Sequence, residues 1–389
     1  MTEVATQRIE ETAEVHLYNK RGISLVRGEG VYLWDSEGRR YLDAMSNYGV
    51  NVLGHCHPAV SRAVKAQLER LTNCHQSFYN DARAEFEETL TKLLPAGLRQ
   101  IAFANSGTEA NEAAIKFARL ATGRQRLISA EHGYHGRTMG ALSVTGVAKY
   151  QEGLQPLLGE CETIPFDDLD ALEKTAPGAA AVILEPVQGE SGVHPPAPGY
   201  LRAVRQLCDE HGVLLILDEV QTGIGRTGRL FSFEHDGVVP DIISISKGLA
   251  NGLPMGATVV NESVAGRIPS GAHGSTFAGN PLVSAAATAT LRVVADAGFL
   301  THVEEAGVDF IEQLRRIGHP MIREVRGIGL MVAVELKTRV TPYLKALQDA
   351  GILALPAGPR TIRFLPPLII EREQLAEIVA GLRNAMESK

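Results

Sequence analysis

Four cysteines, Cys56, Cys74, Cys161 and Cys208, stand far apart in 389 residues and form no C-x-x-C pair. That spacing argues against both a metal site and a disulfide framework, and it fits a reducing, cytoplasmic setting. Positive charge is not in excess: 38 Lys and Arg face 45 Asp and Glu, for a net charge of -7 and a pI near 6.0. Nothing broad is therefore offered to a nucleic-acid backbone, and no nucleic-acid partner is expected. Long apolar runs are lacking as well. The longest, at 179–184 and 213–217, are strand-sized and well short of the roughly 20 residues that a membrane helix requires. The opening stretch carries Glu3, Glu10, Glu11 and Glu14, where a secretory leader would have a basic start and an apolar run. A soluble protein with no membrane partner is the expectation.

Hydrophobic residues at 44% and charged residues at 21% are ordinary for a globular chain. The length exceeds what one hydrophobic core usually supports, so a large domain and a smaller one are expected. Residues 30–43 read as two short strands around a turn at 36–38. Short apolar runs at 100–104, 127–130, 181–184, 213–217, 242–245 and 255–260 then alternate with helix-like stretches, the pattern of an α/β fold whose mostly parallel sheet is covered by helices. An Ala-rich helix is predicted at 281–297, strands at 328–336 and 361–365, and a closing helix at 371–386. The division expected is 1–60 as an N-terminal segment contributing to the small domain, 61–285 as the large ligand-binding domain, and 286–389 as a small α+β domain.

Three constellations carry chemistry. Asn105-Ser106-Gly107-Thr108-Glu109 lies between a strand and an Ala-rich helix, where unpaired N–H groups and the helix dipole can cradle a phosphate. Ser106 and Glu109 also match an S-x-x-E capping box, a role compatible with the first. Asp218-Glu219-Val220-Gln221 ends an apolar strand. Alternation along the strand sends Asp218 and Val220 to one face and Glu219 to the other, so one carboxylate stands beside one apolar surface. That suits a cationic aromatic ring, although a solvated strand end would read the same. Lys247 directly follows the buried strand at 242–245 and precedes a Gly-bearing loop. A lysine removed from water has a lowered pKa and becomes a nucleophile fit to condense with an aldehyde, whereas a surface lysine would need no such explanation. Together the three sites fall at the C-terminal ends of successive strands, where open α/β sheets bind ligands.

With these residues in place, the sequence resembles the class III, fold-type I aminotransferases. The likeness rests on Asp218-Glu-Val-Gln-Thr-Gly223, Ser246-Lys-Gly248, Asn105-Ser-Gly-Thr-Glu-Ala-Asn-Glu112, Tyr134-His-Gly-Arg-Thr138 and Glu185-Pro-Val-Gln-Gly-Glu190, and it runs from about residue 18 to the last helix. The resemblance implies pyridoxal 5'-phosphate as cofactor. It assigns Lys247 to the covalent link, Ser106, Gly107 and Thr108 to the phosphate, Tyr134 with His135 to the ring, Asp218 to the pyridine nitrogen, Val220 to the ring face and Gln221 to the ring hydroxyl side. Thr276 resembles the threonine through which a neighbouring subunit reaches the phosphate, implying a homodimer.

The family pattern also implies a substrate logic. An amine donor and 2-oxoglutarate use one pocket in turn, so Arg137 and Arg363 are expected to bind carboxylates, with Glu190 as an acidic gate on Arg363. Segments around 355–359 and 362–368 look most like the acetylornithine branch and its lysine-biosynthetic relatives, whose donor is presented by an amino-group carrier protein. Ser46-Asn47-Tyr48-Gly49 departs from the small Gly-Ile-Ala type stretch of many acetylornithine enzymes. Asn47 and Tyr48 either line the acyl pocket, in favour of a lysine-type donor, or are packing residues. Ornithine, succinylornithine, 4-aminobutyrate or another amine is the alternative donor. A mutase, racemase or lyase on the same scaffold, or a binding protein that has kept the fold, is the alternative class.

Overall fold

The computed structural model describes residues 3–388. Its central sheet has seven strands in the order Leu98–Ala104, Gly256–Asn261, Ile242–Ile245, Leu214–Asp218, Ala181–Leu184, Leu127–Ala130, Cys161–Ile164. The sheet is parallel except for Gly256–Asn261, which runs antiparallel to both neighbours. Three of the inner strands, Leu127–Ala130, Ala181–Leu184 and Ile242–Ile245, are buried along their whole length, which is why they read as unbroken apolar runs. Six of the seven strands match the sequence expectation to within a few residues. The seventh, Cys161–Ile164, was not expected: it is an edge strand with Glu162 and Thr163 exposed, so it carries no apolar run.

The helix Gly107–Thr122 covers the sheet with Ala110, Ala113, Ala114, Ala118 and Ala121, the small buried side of a three-and-four spacing. Gly123, at φ 69°, closes it in the left-handed conformation. Register brings the chemistry together. Asp218 pairs with Ser244, so the end of the strand Leu214–Asp218 lies beside the turn that carries Lys247.

Two smaller sheets complete the fold. Leu25–Glu29, Tyr32–Asp35 and Arg40–Asp43 form an antiparallel meander that includes the expected hairpin, and Ile352–Leu353 joins Arg40–Asp43 in parallel. The other sheet orders Ile322–Ile328, Met331–Leu336, Thr361–Phe364 and Leu355–Pro356. Here the sequence expectation needs correction. The strand expected at 328–336 is the second arm of a hairpin that turns at Gly329, whose φ is 52°. The helix expected at 281–297 ends at Val294, and a second helix, Ala297–Arg315, starts where Asp296 caps the amide of Phe299. No single helix among the described residues is long and apolar enough to cross a membrane.

Candidate active site

A cavity of about 410 Å³ opens at the C-terminal ends of Leu214–Asp218 and Ile242–Ile245, against the first turn of Gly107–Thr122. The strand behind that helix, Leu98–Ala104, is separated from Ile242–Ile245 by the antiparallel Gly256–Asn261. The three constellations therefore converge, those of Asp218 and Lys247 from neighbouring strands and that of Gly107 from a strand one further away.

Lys247 projects into this cavity from a backbone held at φ 41°, a left-handed conformation that a lysine adopts only under constraint. The constraint is visible around it. Ser246 donates to the carbonyl of Met255 at 2.7 Å, and a Cβ on Gly248 would lie 2.6 Å from Val52. Burial pushes the Lys247 ammonium below its ordinary pKa, opposed by the charge of Glu190 and reinforced by that of Arg363.

At the helix end, Ser106 accepts a hydrogen bond from the amide of Glu109 at 3.3 Å. The second half of the expected capping box is absent. Glu109 instead accepts from the backbone and side-chain nitrogens of Asn105, at 2.7 and 2.9 Å, because its carboxylate reaches one residue further back. The amides of Gly107 and Thr108 donate to nothing among the described residues and border the cavity. Gly107 packs so closely on Val220 that an added Cβ would lie 2.6 Å from Cγ1. Val220 thereby forms an apolar wall beside an anion-binding turn. The hydroxyl of Thr108 meets that of Thr138 at 2.7 Å.

Asp218 is 3% exposed and lines the cavity. Its Oδ2 lies 2.8 Å from Nδ1 of His135 and accepts from Asn111 at 2.7 Å, while Oδ1 accepts from the amide of Val220. Glu219 points the other way, as alternation requires, and is buried against Thr222 and Phe233. Asn111 and Glu185 were singled out by no sequence argument, although both lie in the quoted motifs. Asn111 is a buried polar residue on the apolar side of its helix, and that break in the stripe was the available signal. Glu185 accepts from the amides of Tyr134 and Gly189 at 2.9 and 3.1 Å, and burial raises its carboxyl to about 7.

Of the carboxylate-binding candidates only Arg137 lines the cavity; Arg363 and Glu190 lie outside its lining and bond to Gln221, which is part of it. Arg363 is fully buried. Its Nη1 donates to Glu190 and to Gln221, each at 2.9 Å, and Gln221 also donates to Glu190 at 3.1 Å. Its Nε and Nη2 have no partner among the described residues. Burial works against the Glu190 carboxylate, but Arg363 and then Lys247 outweigh it and hold the group down to about 2. Arg137 lines the cavity with Tyr134 and lies over the ring of Tyr150 at 4.8 Å. Tyr48 stands 5.7 Å from the Arg363 guanidinium, on a turn where Ser46, Asn47, Tyr48 and Gly49 all have positive φ. Asn47, Tyr48 and Thr276 are exposed and do not border this chain's cavity; Tyr18 and Val50 do.

Free amides at a helix start, a carboxylate, an apolar wall and a desolvated amine around one cavity fit a ligand with a phosphate, a basic aromatic ring and an aldehyde. The family model for aminotransferase class-III matches residues 16–386. The chain belongs to the class III aminotransferases. It is a pyridoxal-phosphate-dependent aminotransferase, acting on an amine donor and an oxo-acid acceptor. Its curated relatives include a [LysW]-aminoadipate semialdehyde transaminase of Deinococcus radiodurans, 44% identical over 96% of this chain and 88% of that protein. An acetylornithine aminotransferase of Methanopyrus kandleri is 45% identical, over 96% and 97% respectively. Among solved structures, an ornithine aminotransferase from Toxoplasma gondii superposes with a TM-score of 0.95 at 34% identity, covering 100% of this chain and 96% of that one. An acetylornithine aminotransferase from Elizabethkingia anophelis gives 0.89 at 34%, with both chains fully covered.

Proposed function

We propose that this aminotransferase moves the terminal amino group of an N-acylated diamino acid, N-acetylornithine or a carrier-bound γ-lysine, to 2-oxoglutarate, yielding a semialdehyde and glutamate in arginine or lysine biosynthesis. One observation carries the reading: Arg363 is buried, neutralised by Glu190, and still has two guanidinium nitrogens to offer within electrostatic reach of Lys247. The acetylornithine and [LysW]-aminoadipate semialdehyde relatives support the donor class.

In this reading Glu190 occupies Arg363 while the donor is bound. When the dicarboxylic acceptor arrives, Glu190 yields, Arg363 takes one carboxylate through two parallel hydrogen bonds, and Arg137 takes the other. Pyridoxal phosphate supplies an aldehyde that takes up the amino group and a ring that draws electrons from the donor carbon. Lys247 would anchor it, the free amides of Gly107 and Thr108 would hold its phosphate at the turn that Ser106 shapes, and Val220 and Tyr134 would pack against its ring. Asp218, braced by His135 and Asn111, would keep the ring nitrogen protonated, and Gln221 would border the ring hydroxyl. Lys247 Nζ, set free once the donor's amine has taken its place on the aldehyde, would accept the proton from the donor carbon and return it at the neighbouring position.

The proposal extends to a homodimer, in which Thr276 completes the neighbouring subunit's phosphate site. Its exposure beside Phe277, 62% exposed, supports that placement. It includes a cytoplasmic location, an amino-group carrier protein as possible partner, and the division into 1–60, 61–285 and 286–389. The pairing of Ile352–Leu353 with Arg40–Asp43 supports joining the first and last of these, whose end residues 1, 2 and 389 lie outside the described residues. The fold match to ornithine aminotransferases favours a free diamino acid as the second reading.

A donor panel with 2-oxoglutarate as the common acceptor is the test. N-acetylornithine or carrier-bound lysine is expected to outpace ornithine, succinylornithine and 4-aminobutyrate. A simple amine or 4-aminobutyrate as the fastest donor would overturn the donor assignment and leave the family standing.

A further inference from the structure

Glu190 sits in a loop that closes on itself, Gln188 and His194 exchanging backbone hydrogen bonds at 3.1 and 2.9 Å. The first half is fixed from the cavity side. Glu185 accepts the amide of Gly189, and Gly189 packs on Gln221 so tightly that a Cβ would lie 2.2 Å from Oε1. The second half is strained at Val193, a β-branched residue held at φ 56°. Something outside the loop has to hold it there.

That group is Arg326, 8% exposed in the strand Ile322–Ile328. Its Nε donates to the carbonyls of Gly192 and Val193 at 3.0 and 2.9 Å, and its Nη1 pairs with Glu324 and Glu335 at 2.7 Å each. The register of the sheet gives this contact a second meaning. Arg326 pairs with Ala333, and Ala333 pairs with Arg363. Directly opposed residues in antiparallel ladders send their side chains to the same face. Arg326 and Arg363 therefore rise from one face, two strand spacings or about 10 Å apart, with a small alanine between them. One takes the carboxylate of Glu190; the other takes the backbone two and three residues further on.

We propose that Arg326 is a positioning residue for the transamination: by fixing the carbonyls of Gly192 and Val193 on the sheet face that bears Arg363, it sets how readily Glu190 gives up the Arg363 guanidinium to a substrate carboxylate. The proposal rests on the reading of Glu190 as a gate. Glu190 and an incoming carboxylate compete for one group, so whatever favours the closed pair weakens dicarboxylate binding by the same factor. Arg326 tunes that balance without touching substrate.

The test compares the holoenzyme with its Glu190→Gln, Arg326→Gln and double variants, by calorimetric titration with glutarate, a dicarboxylate with no reacting group. Glu190→Gln is expected to bind glutarate about tenfold more tightly and Arg326→Gln about threefold, with the double variant no tighter than Glu190→Gln. Amide hydrogen exchange across 189–193 is expected to rise in Arg326→Gln. If Arg326→Gln does not fold, Arg326→Lys takes its place, with the same direction expected. A purely structural arginine would alter thermal stability and leave glutarate affinity unchanged. That result, or effects that multiply in the double variant, overturns the proposal while the gate stands. An unchanged affinity in Glu190→Gln shows instead that the gate reading fails, and the positioning role falls with it.

Discussion

Nδ1 of His135 lies 2.8 Å from Oδ2 of Asp218, and the same oxygen accepts a hydrogen bond from Asn111 at 2.7 Å. These partners hold the carboxylate still in a buried setting, where a fixed charge acts at full strength without having to reorganise. Asp218→Asn keeps the shape and removes the charge. It is expected to lower the single-turnover rate with donor by at least about a hundredfold while the protein remains folded. Asn111→Ala is expected to cost less, because it frees the carboxylate without neutralising it. Stopped-flow measurement of the donor half-reaction, with circular dichroism as the folding control, checks both.

The approach of Gly107 to Val220 gives a clash and a rescue. In Gly107→Ala the new methyl would sit 2.6 Å from Val220 Cγ1, so either the wall or the helix start must move. An overpacked site of this kind costs about 1–3 kcal/mol, which should appear as weaker cofactor binding. Gly107→Ala combined with Val220→Ala is expected to recover part of the affinity, measured by fluorescence titration of the apoenzyme. No recovery in the pair would place the cause elsewhere.

Arg363→Lys keeps the charge but loses the fork of donors that matches a carboxylate. The KM for 2-oxoglutarate is expected to rise about ten- to a hundredfold, with a smaller change for the amine donor. Initial-rate kinetics varying each substrate separately read the split. Equal changes for both substrates would contradict the assignment of Arg363 to the acceptor.

Glu219 faces away from the cavity, and burial raises its carboxyl to about 7, only partly offset by the hydroxyl of Thr222 and the amides of Phe233 and Ser232. A carboxyl whose pKa is higher folded than unfolded contributes stability that is complete below about 4.5 and is lost as pH rises through about 7. Across that window of about 2.5 pH units, at about 1.4 kcal/mol per unit, the loss is on the order of 3 kcal/mol. Glu190 has the opposite sign. Held down to about 2, it contributes stability above 4.5 that disappears as pH falls through its folded value. From pH 5 to 8 the melting temperature of the wild type is therefore expected to fall relative to that of Glu219→Gln. Parallel curves would contradict the assignment.

How much of this was legible in sequence depends on how local the signal was. The inner strands announced themselves because burial on both faces demands continuous apolar residues, and Lys247 stood out because a lysine behind such a strand needs a reason. Cys161–Ile164 left no trace because an edge strand has little to bury. The helix Ala297–Arg315 was hidden by a break of two residues, where Asp296 ends one helical register and starts another. In the site, Asp218 and Val220 follow from strand alternation, and Gln221 from the family resemblance alone. Glu185 and Arg326 do not, since each matters through partners distant in the chain, which spacing alone does not reveal, and Asn111 shows only as a polar break in an apolar stripe.

The central claim is that the buried amine of Lys247 carries the cofactor. Borohydride reduction of the holoenzyme followed by peptide mapping tests it most directly. The expected result is a single pyridoxyl adduct at position 247, absent from Lys247→Ala. An adduct on another lysine, or no adduct in a protein that still turns over, would contradict the account.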